Sequence, residues 1–208
     1  MSLEDMGILN VGWGICGVTS SLYALHSHSP SVKHSALSSL ATDKSKMAGE
    51  IGGYLAEVFA QGHPKLIAEI GAFTRTFKGY EGFSVVDYLR QAKVAASSSA
   101  VMGDFSIAMP PDSVVDYLKR RCGFRNPSVL WQSGKGMMPA SSVGAAKELI
   151  IGVGIPEMKM YGGLCHYLYQ AANGKIHSWG EIFNDIALAG AKVKLPAWTP
   201  CALISPTG

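Results

Sequence analysis

Cys16 is the residue of this sequence best placed to act as a nucleophile. It lies in Asn10-Val-Gly-Trp-Gly-Ile-Cys-Gly-Val-Thr-Ser-Ser-Leu-Tyr-Ala-Leu25, a glycine-punctuated loop that runs into a helical pattern with the cysteine at the junction. A helix N-terminus presents unpaired N–H groups and a partial positive charge, and both favour a thiolate over a thiol. The same N–H groups can hold the oxyanion of a tetrahedral intermediate, and the side-chain amide of Asn10 can add a donor. The other reading of this segment is a small buried hydrophobe at a helix start, the usual fate of a free cysteine.

A thiol nucleophile needs a base, and the base needs an orienting partner. Of the six histidines, His26, His28 and His34 fall at or beyond the end of the first helical pattern, and His63 precedes Pro64 at another helix start. His166 differs, because Leu164-Cys-His-Tyr-Leu-Tyr-Gln170 is β-prone and leads into Asn173-Gly174, a strong hairpin signal. A two-residue loop centred on Asn173-Gly174 predicts that His166 faces Glu181 on the neighbouring strand, where opposed side chains share a face. A carboxylate there would fix the imidazole tautomer and stabilise the imidazolium. A loop centred between Ala171 and Ala172 would bring His177 beside His166 instead, so His177 is the alternative third member. The candidate site is therefore Cys16, His166 and Glu181 or His177, with Asn10 and the Cys16 N–H as oxyanion donors.

These residues must be held by a core, and the composition supplies one. The chain has 208 residues, 48% hydrophobic and 16% charged, and a net charge of +3 without a Lys/Arg-rich run. Such a balance excludes wholesale disorder and provides no electrostatic footprint for nucleic acid. No apolar run approaches the ~18 residues of a membrane-spanning helix. Glu4 and Asp5 do not suit the basic start of a secretory signal. Cys16, Cys122, Cys165 and Cys201 lack paired spacing, which predicts free thiols in a reducing compartment.

The patterning predicts an α+β fold in a single domain, 1–208. Its first part, 1–125, is mostly helical, with Val18, Leu22 and Leu25 on one face and further helices at 47–59, 64–77, 85–96 and 114–121. The second part, 126–208, is β-rich, with short strands at 128–131, 149–153, 164–170, 175–179 and 202–205. The segment 132–142 has no periodicity and reads as a surface loop. Ser84-Val-Val-Asp-Tyr-Leu-Arg90 recurs as Ser113-Val-Val-Asp-Tyr-Leu-Lys119, which is expected to reflect shared helix-start chemistry, a hydroxyl cap followed by an acidic first turn.

Other motifs carry less. Ser133-Gly-Lys-Gly136 lacks the pattern of a phosphate-binding loop, and Gly152-Val-Gly154 lacks a third glycine and runs into Pro156. His26 and His28 point to different faces of a helix, so no metal site is expected. Met137, Met138, Met158 and Met160 flank the strands and suit core packing or a pliable groove.

The order of these parts resembles the papain-like superfamily of cysteine proteases, especially its compact bacterial effector proteases and deamidases. Those proteins place a cysteine at a helix start, an amide donor a few residues earlier, and a histidine and an acidic or amide residue on neighbouring strands much later. His177-Ser-Trp-Gly-Glu181 also resembles the Asn-Ser-Trp-Gly stretch of papain, with His177 at the asparagine position. Papain's Cys-Gly-Ser-Cys-Trp signature is absent, and Asn10 stands where glutamine is expected. The resemblance implies a helical lobe carrying the nucleophile, followed by an antiparallel sheet. It also implies a cysteine hydrolase acting on a protein or peptide amide bond, as protease or glutamine deamidase, with no cofactor or metal. A bacterial effector or toxin delivered into another cell would act on a host-cell protein and pair with an immunity or chaperone protein. The alternatives are a catalytically inactive interaction module on the same fold and an amine-transferring enzyme of transglutaminase type.

Overall fold

The computed structural model describes residues 14–28, 40, 43–97, 105–138, 147–155, 160–192 and 198–207. Asn10 lies outside the described residues. Among them the chain is α+β, with six helices and one antiparallel sheet.

Five helices are described ahead of the first described strand: α1 (Cys16–His28), α2 (Lys44–Ala60), α3 (Pro64–Thr74), α4 (Val85–Ser97) and α5 (Pro111–Arg120). Their starts follow local chemistry. The Asp43 carboxylate accepts the N–H groups of Ser45 and Lys46 at 2.9 and 3.1 Å to open α2. Pro64 opens α3, where its missing N–H costs nothing. The Ser84 hydroxyl accepts the Asp87 N–H at 3.3 Å ahead of α4. The matching Ser113 does not cap. Because Pro110 and Pro111 start α5 three residues sooner, Ser113 is buried in the first turn and donates to the Pro110 carbonyl at 2.8 Å. The shared-cap reading of the two copies therefore holds only for Ser84.

The strands are β1 (Ser128–Gln132), β2 (Leu149–Gly154), β3 (Leu164–Gln170), β4 (Ile176–Ser178), β5 (Glu181–Phe183) and β6 (Thr199–Ser205). They order as β1-β6-β2-β3-β4-β5, so the last strand is inserted between the first two. A short helix absent from the sequence expectation, α6 (Ile186–Lys192), follows β5.

Each face of the sheet packs its own core. On one face lie the helices, with α1 nearly all buried from Gly17 to Leu25. Such a segment is expected to be central in the fold. Tyr23 of α1 stacks on Tyr169 of β3 at 6.1 Å between ring centroids. Leu149, Ile151, Val153, Leu168, Ile176 and Leu203 fill the other face, packed against Ala189 of α6 and Trp198.

The β3–β4 hairpin differs by one residue from the expected register: Tyr169 opposes His177 and Gln170 opposes Ile176. The loop has three residues, Ala172 to Gly174, closed by Ala171 N–H to the Lys175 carbonyl at 2.9 Å and Gly174 N–H to the Ala171 carbonyl at 2.9 Å. Gly174 takes φ +80°, which makes it the left-handed bulge residue of a three-residue loop, not the second residue of a two-residue turn. The turn with two left-handed residues comes later. Trp179 (φ +48°) and Gly180 (φ +77°) join Ser178 to its β5 partner Glu181.

Candidate functional site

Cys16 is the first residue of α1. The preceding turn is tied to the 105–109 segment: Gly14 N–H donates to the Ser106 hydroxyl at 2.7 Å, and Ile107 N–H donates to the Gly14 carbonyl at 3.0 Å. Gly17 lets the helix start come close, since a Cβ there would stand 3.0 Å from Met109 Cβ and 3.2 Å from Val114 Cγ2. Burial pushes the Cys16 thiol up to about 11, against the opposing pull of the N–H groups of Tyr167, Gly17 and Cys16 itself.

The Tyr167 N–H places the sulfur in the sheet. Ala171 N–H points to β4, and N–H groups two residues apart leave a strand by the same edge, so Tyr167 N–H also points to that side. β4 pairs with β3 only at Tyr169 and Gln170, and the chain then turns away at Trp179 and Gly180. Cys16 thus stands at the edge that β4 leaves open, beside the peptide joining His166 to Tyr167.

His166 sends its ring to the face opposite α1. It opposes Val153 and shares the face of Leu168, while Tyr167 and Tyr169 point toward the helices. Its Nε2 lies 2.8 Å from the Ser178 hydroxyl, and its ring stacks on Trp179 at 4.2 Å and 13° and on Trp198 at 5.4 Å. Burial pushes the imidazole down to about 3. Its Nδ1 makes no hydrogen bond among the described residues, and none joins the ring to the Cys16 thiol.

The expected third members are elsewhere. The register slip moves Glu181 away from His166. It opposes Ser178 at the far edge of the sheet, where its exposed carboxylate pairs with Lys192 of α6. His177 is buried on the α1 face between Tyr23 and Tyr169, at 5.6 and 5.9 Å. The alternative pairing of His177 beside His166 is therefore also absent, because adjacent registers send the two rings through opposite faces. The residue that does meet His166, Ser178, was missed. The signal for it was the Ser-Trp-Gly run, in which a left-handed Trp-Gly pair turns the serine back toward β3.

Two further thiols lie on the sheet, Cys165 on β3 and Cys201 on β6, which β2 separates from this edge. Cys165 precedes His166 and is pushed up to about 12 by burial and by Cys16 and Cys201. Cys201 donates to the Gly162 carbonyl at 3.0 Å. Among the described residues no group of three His, Cys, Asp or Glu is placed to hold a metal ion, and no helix is long and apolar enough to cross a membrane.

Compared with protein-family models, curated proteins and solved structures, the chain matches none.

Proposed function

We propose that this chain is a cysteine hydrolase of papain-like type acting on a protein or peptide amide bond, with Cys16 as nucleophile and His166 as base. The observation that carries this reading is the position of Cys16: first residue of a buried helix, at the open edge of β3, against the peptide that follows His166. Helix-start N–H groups and the Tyr167 N–H surround the sulfur with donors, which suits an oxyanion formed beside it. His166 is anchored at Nε2 and has no hydrogen bond at Nδ1 among the described residues, the nitrogen that must take the thiol proton. Ring and thiol lie on different sides of the β3 edge, so the reaction requires the imidazole to turn around that edge. That turn would release the Ser178 hydroxyl and the stacks on Trp179 and Trp198.

Backbone cleavage and glutamine deamidation share this acyl-enzyme chemistry. The effector or toxin role, with a host-cell substrate and an immunity or chaperone partner, rests on the resemblance alone. The test has two arms. Unfolded protein and glutamine-containing peptides are incubated with the wild type, Cys16→Ala and His166→Ala, and products are weighed by mass spectrometry, which separates cleavage, deamidation and amine transfer. In parallel, alkylation by iodoacetamide is located residue by residue. The reading expects Cys16 to label faster than Cys122, Cys165 and Cys201, with the advantage lost in His166→Ala. An active Cys16→Ala variant, or a Cys16 no faster than the others, refutes it.

One observation favours a second reading. Burial keeps both the thiol and the imidazole uncharged, as expected of an inactive module that keeps the fold to bind a partner protein. An inert Cys16 in the alkylation arm would select it.

A further inference from the structure

We infer that Cys165 is the resolving thiol of Cys16: a hydroperoxide oxidises the two to a reversible disulfide that blocks the sulfur at the helix start. The inference goes beyond the hydrolase reading, since it concerns a modification of the thiol and stands whether or not that thiol attacks amides.

The pairing follows from how β3 is built. Cys16 lies against the Tyr167 N–H, and Cys165 is two residues earlier on the same strand. The backbone from Cys165 Cα to the Tyr167 nitrogen reaches no more than about 6 Å, of the size that a disulfide bridges between Cα atoms. His166 stands between them in sequence, but Ser178, Trp179 and Trp198 hold its ring on the opposite face, so the ring does not part the two sulfurs. Cys165 is also the extra residue of a β-bulge: Leu164 opposes Gly154 and His166 opposes Val153, which leaves Cys165 with no opposing residue on β2. A bulge breaks the alternation of a strand and re-aims the side chain it carries.

The other thiols are worse placed. Of the four cysteines, Cys16 and Cys165 are half-buried, whereas Cys122 and Cys201 are buried. Cys201 donates to the Gly162 carbonyl at 3.0 Å and stands on β6, with β2 between it and β3. Cys122 lies at the Ser21 carbonyl, more than a turn along α1 from Cys16. Cys16 also acts on the Cys165 thiol more strongly than Cys201 does.

The oxidation balances with hydrogen peroxide, the simplest hydroperoxide. The Cys16 thiolate attacks one peroxide oxygen; an S–O bond forms, the O–O bond breaks, and hydroxide leaves. The Cys165 thiolate then attacks the sulfenic sulfur; an S–S bond forms, the S–O bond breaks, and a second hydroxide leaves. The two thiol protons convert both hydroxides to water. Two sulfurs lose two electrons, and the two oxygens gain them. Burial disfavours both thiolates but not the neutral disulfide, so the reaction is slow at neutral pH and quickens as pH rises.

The full chain, as wild type and Cys165→Ser, is treated with hydrogen peroxide at about pH 9, where a thiol pushed up to about 11 is roughly a hundredfold more ionised than at about pH 7. Remaining thiols are blocked with iodoacetamide, and a digest made without reductant is mapped by mass spectrometry. The wild type should yield a Cys16–Cys165 linked peptide within one chain, lost on adding dithiothreitol. Cys165→Ser should carry Cys16 on to sulfinic acid, which dithiothreitol does not reverse, at least about tenfold more than wild type. A Cys16 linked to Cys122 or Cys201, a link between two chains, or equal sulfinic acid in both proteins overturns the pairing. So does a Cys16–Cys165 yield no higher than in the chain unfolded in guanidinium chloride, a comparison that needs no variant. Amide hydrolysis is measured apart, so the pairing and the hydrolase reading fail independently.

Discussion

Replacing Trp179 with asparagine sets two effects of opposite sign against each other. Asparagine followed by glycine is the favoured pair for a turn with two left-handed residues, so Trp179→Asn would relieve about 1–2 kcal/mol of backbone strain. Against this stands the loss of the stacks on His166 at 4.2 Å and Trp198 at 5.5 Å, each worth about 0.5–1.5 kcal/mol beyond burial. The indole is half-buried, and withdrawing about 100 Å² of it from contact costs a further ~2.5 kcal/mol at about 25 cal/mol/Å². Packing wins, and the variant should be less stable by roughly 2–3 kcal/mol. Urea unfolding followed by far-UV circular dichroism measures the difference directly. Equal or greater stability in Trp179→Asn would show that the stack contributes nothing and that the turn governs this corner. The same variant opens His166 to water, so its imidazole should titrate closer to the ordinary histidine range, which NMR can follow.

Three further outcomes are expected. His166 is pushed from 6.5 down to about 3, so between these values the unfolded chain binds the extra proton. Stability should therefore fall as pH drops through this window, by up to ~4–5 kcal/mol, and be insensitive to this group above it. His166→Gln should flatten that slope in urea midpoints taken at several pH values. Gly154→Ala would place a Cβ 2.3 Å from the Gly163 carbonyl oxygen and 2.5 Å from Cys201 Sγ, and the overpacking should cost at least ~2 kcal/mol in thermal unfolding. Glu181→Gln removes only an exposed ion pair with Lys192, so stability should change by less than ~0.5 kcal/mol and Cys16 alkylation should not change; a large loss of Cys16 reactivity would restore Glu181 to the site.

The sequence by itself determined most of the elements, α6 apart, because their signals are local. The cysteine at a helix start, the succession of helices and then strands, and the β-prone run carrying His166 depend on spacing within one turn or one strand. Proline at 64 and the periodic apolar positions announced helices whose starts differ from expectation by a few residues. At Ser113 the preceding proline pair moved the start, and a cap in one copy became a buried first-turn hydroxyl in the other.

Only the tertiary structure decided which side chains meet. A strand has a side-chain period of two, so one extra residue in the loop after Gln170 exchanged faces and carried Glu181 out to Lys192. The left-handed pair at Trp179 and Gly180 then brought Ser178 to His166. The open edge of β3, where Cys16 sits beside the His166–Tyr167 peptide, exists because β4 is three residues long and α1 packs past its end. Loop length and strand length are small local choices with large spatial effects, and hydrophobic pattern alone does not encode them.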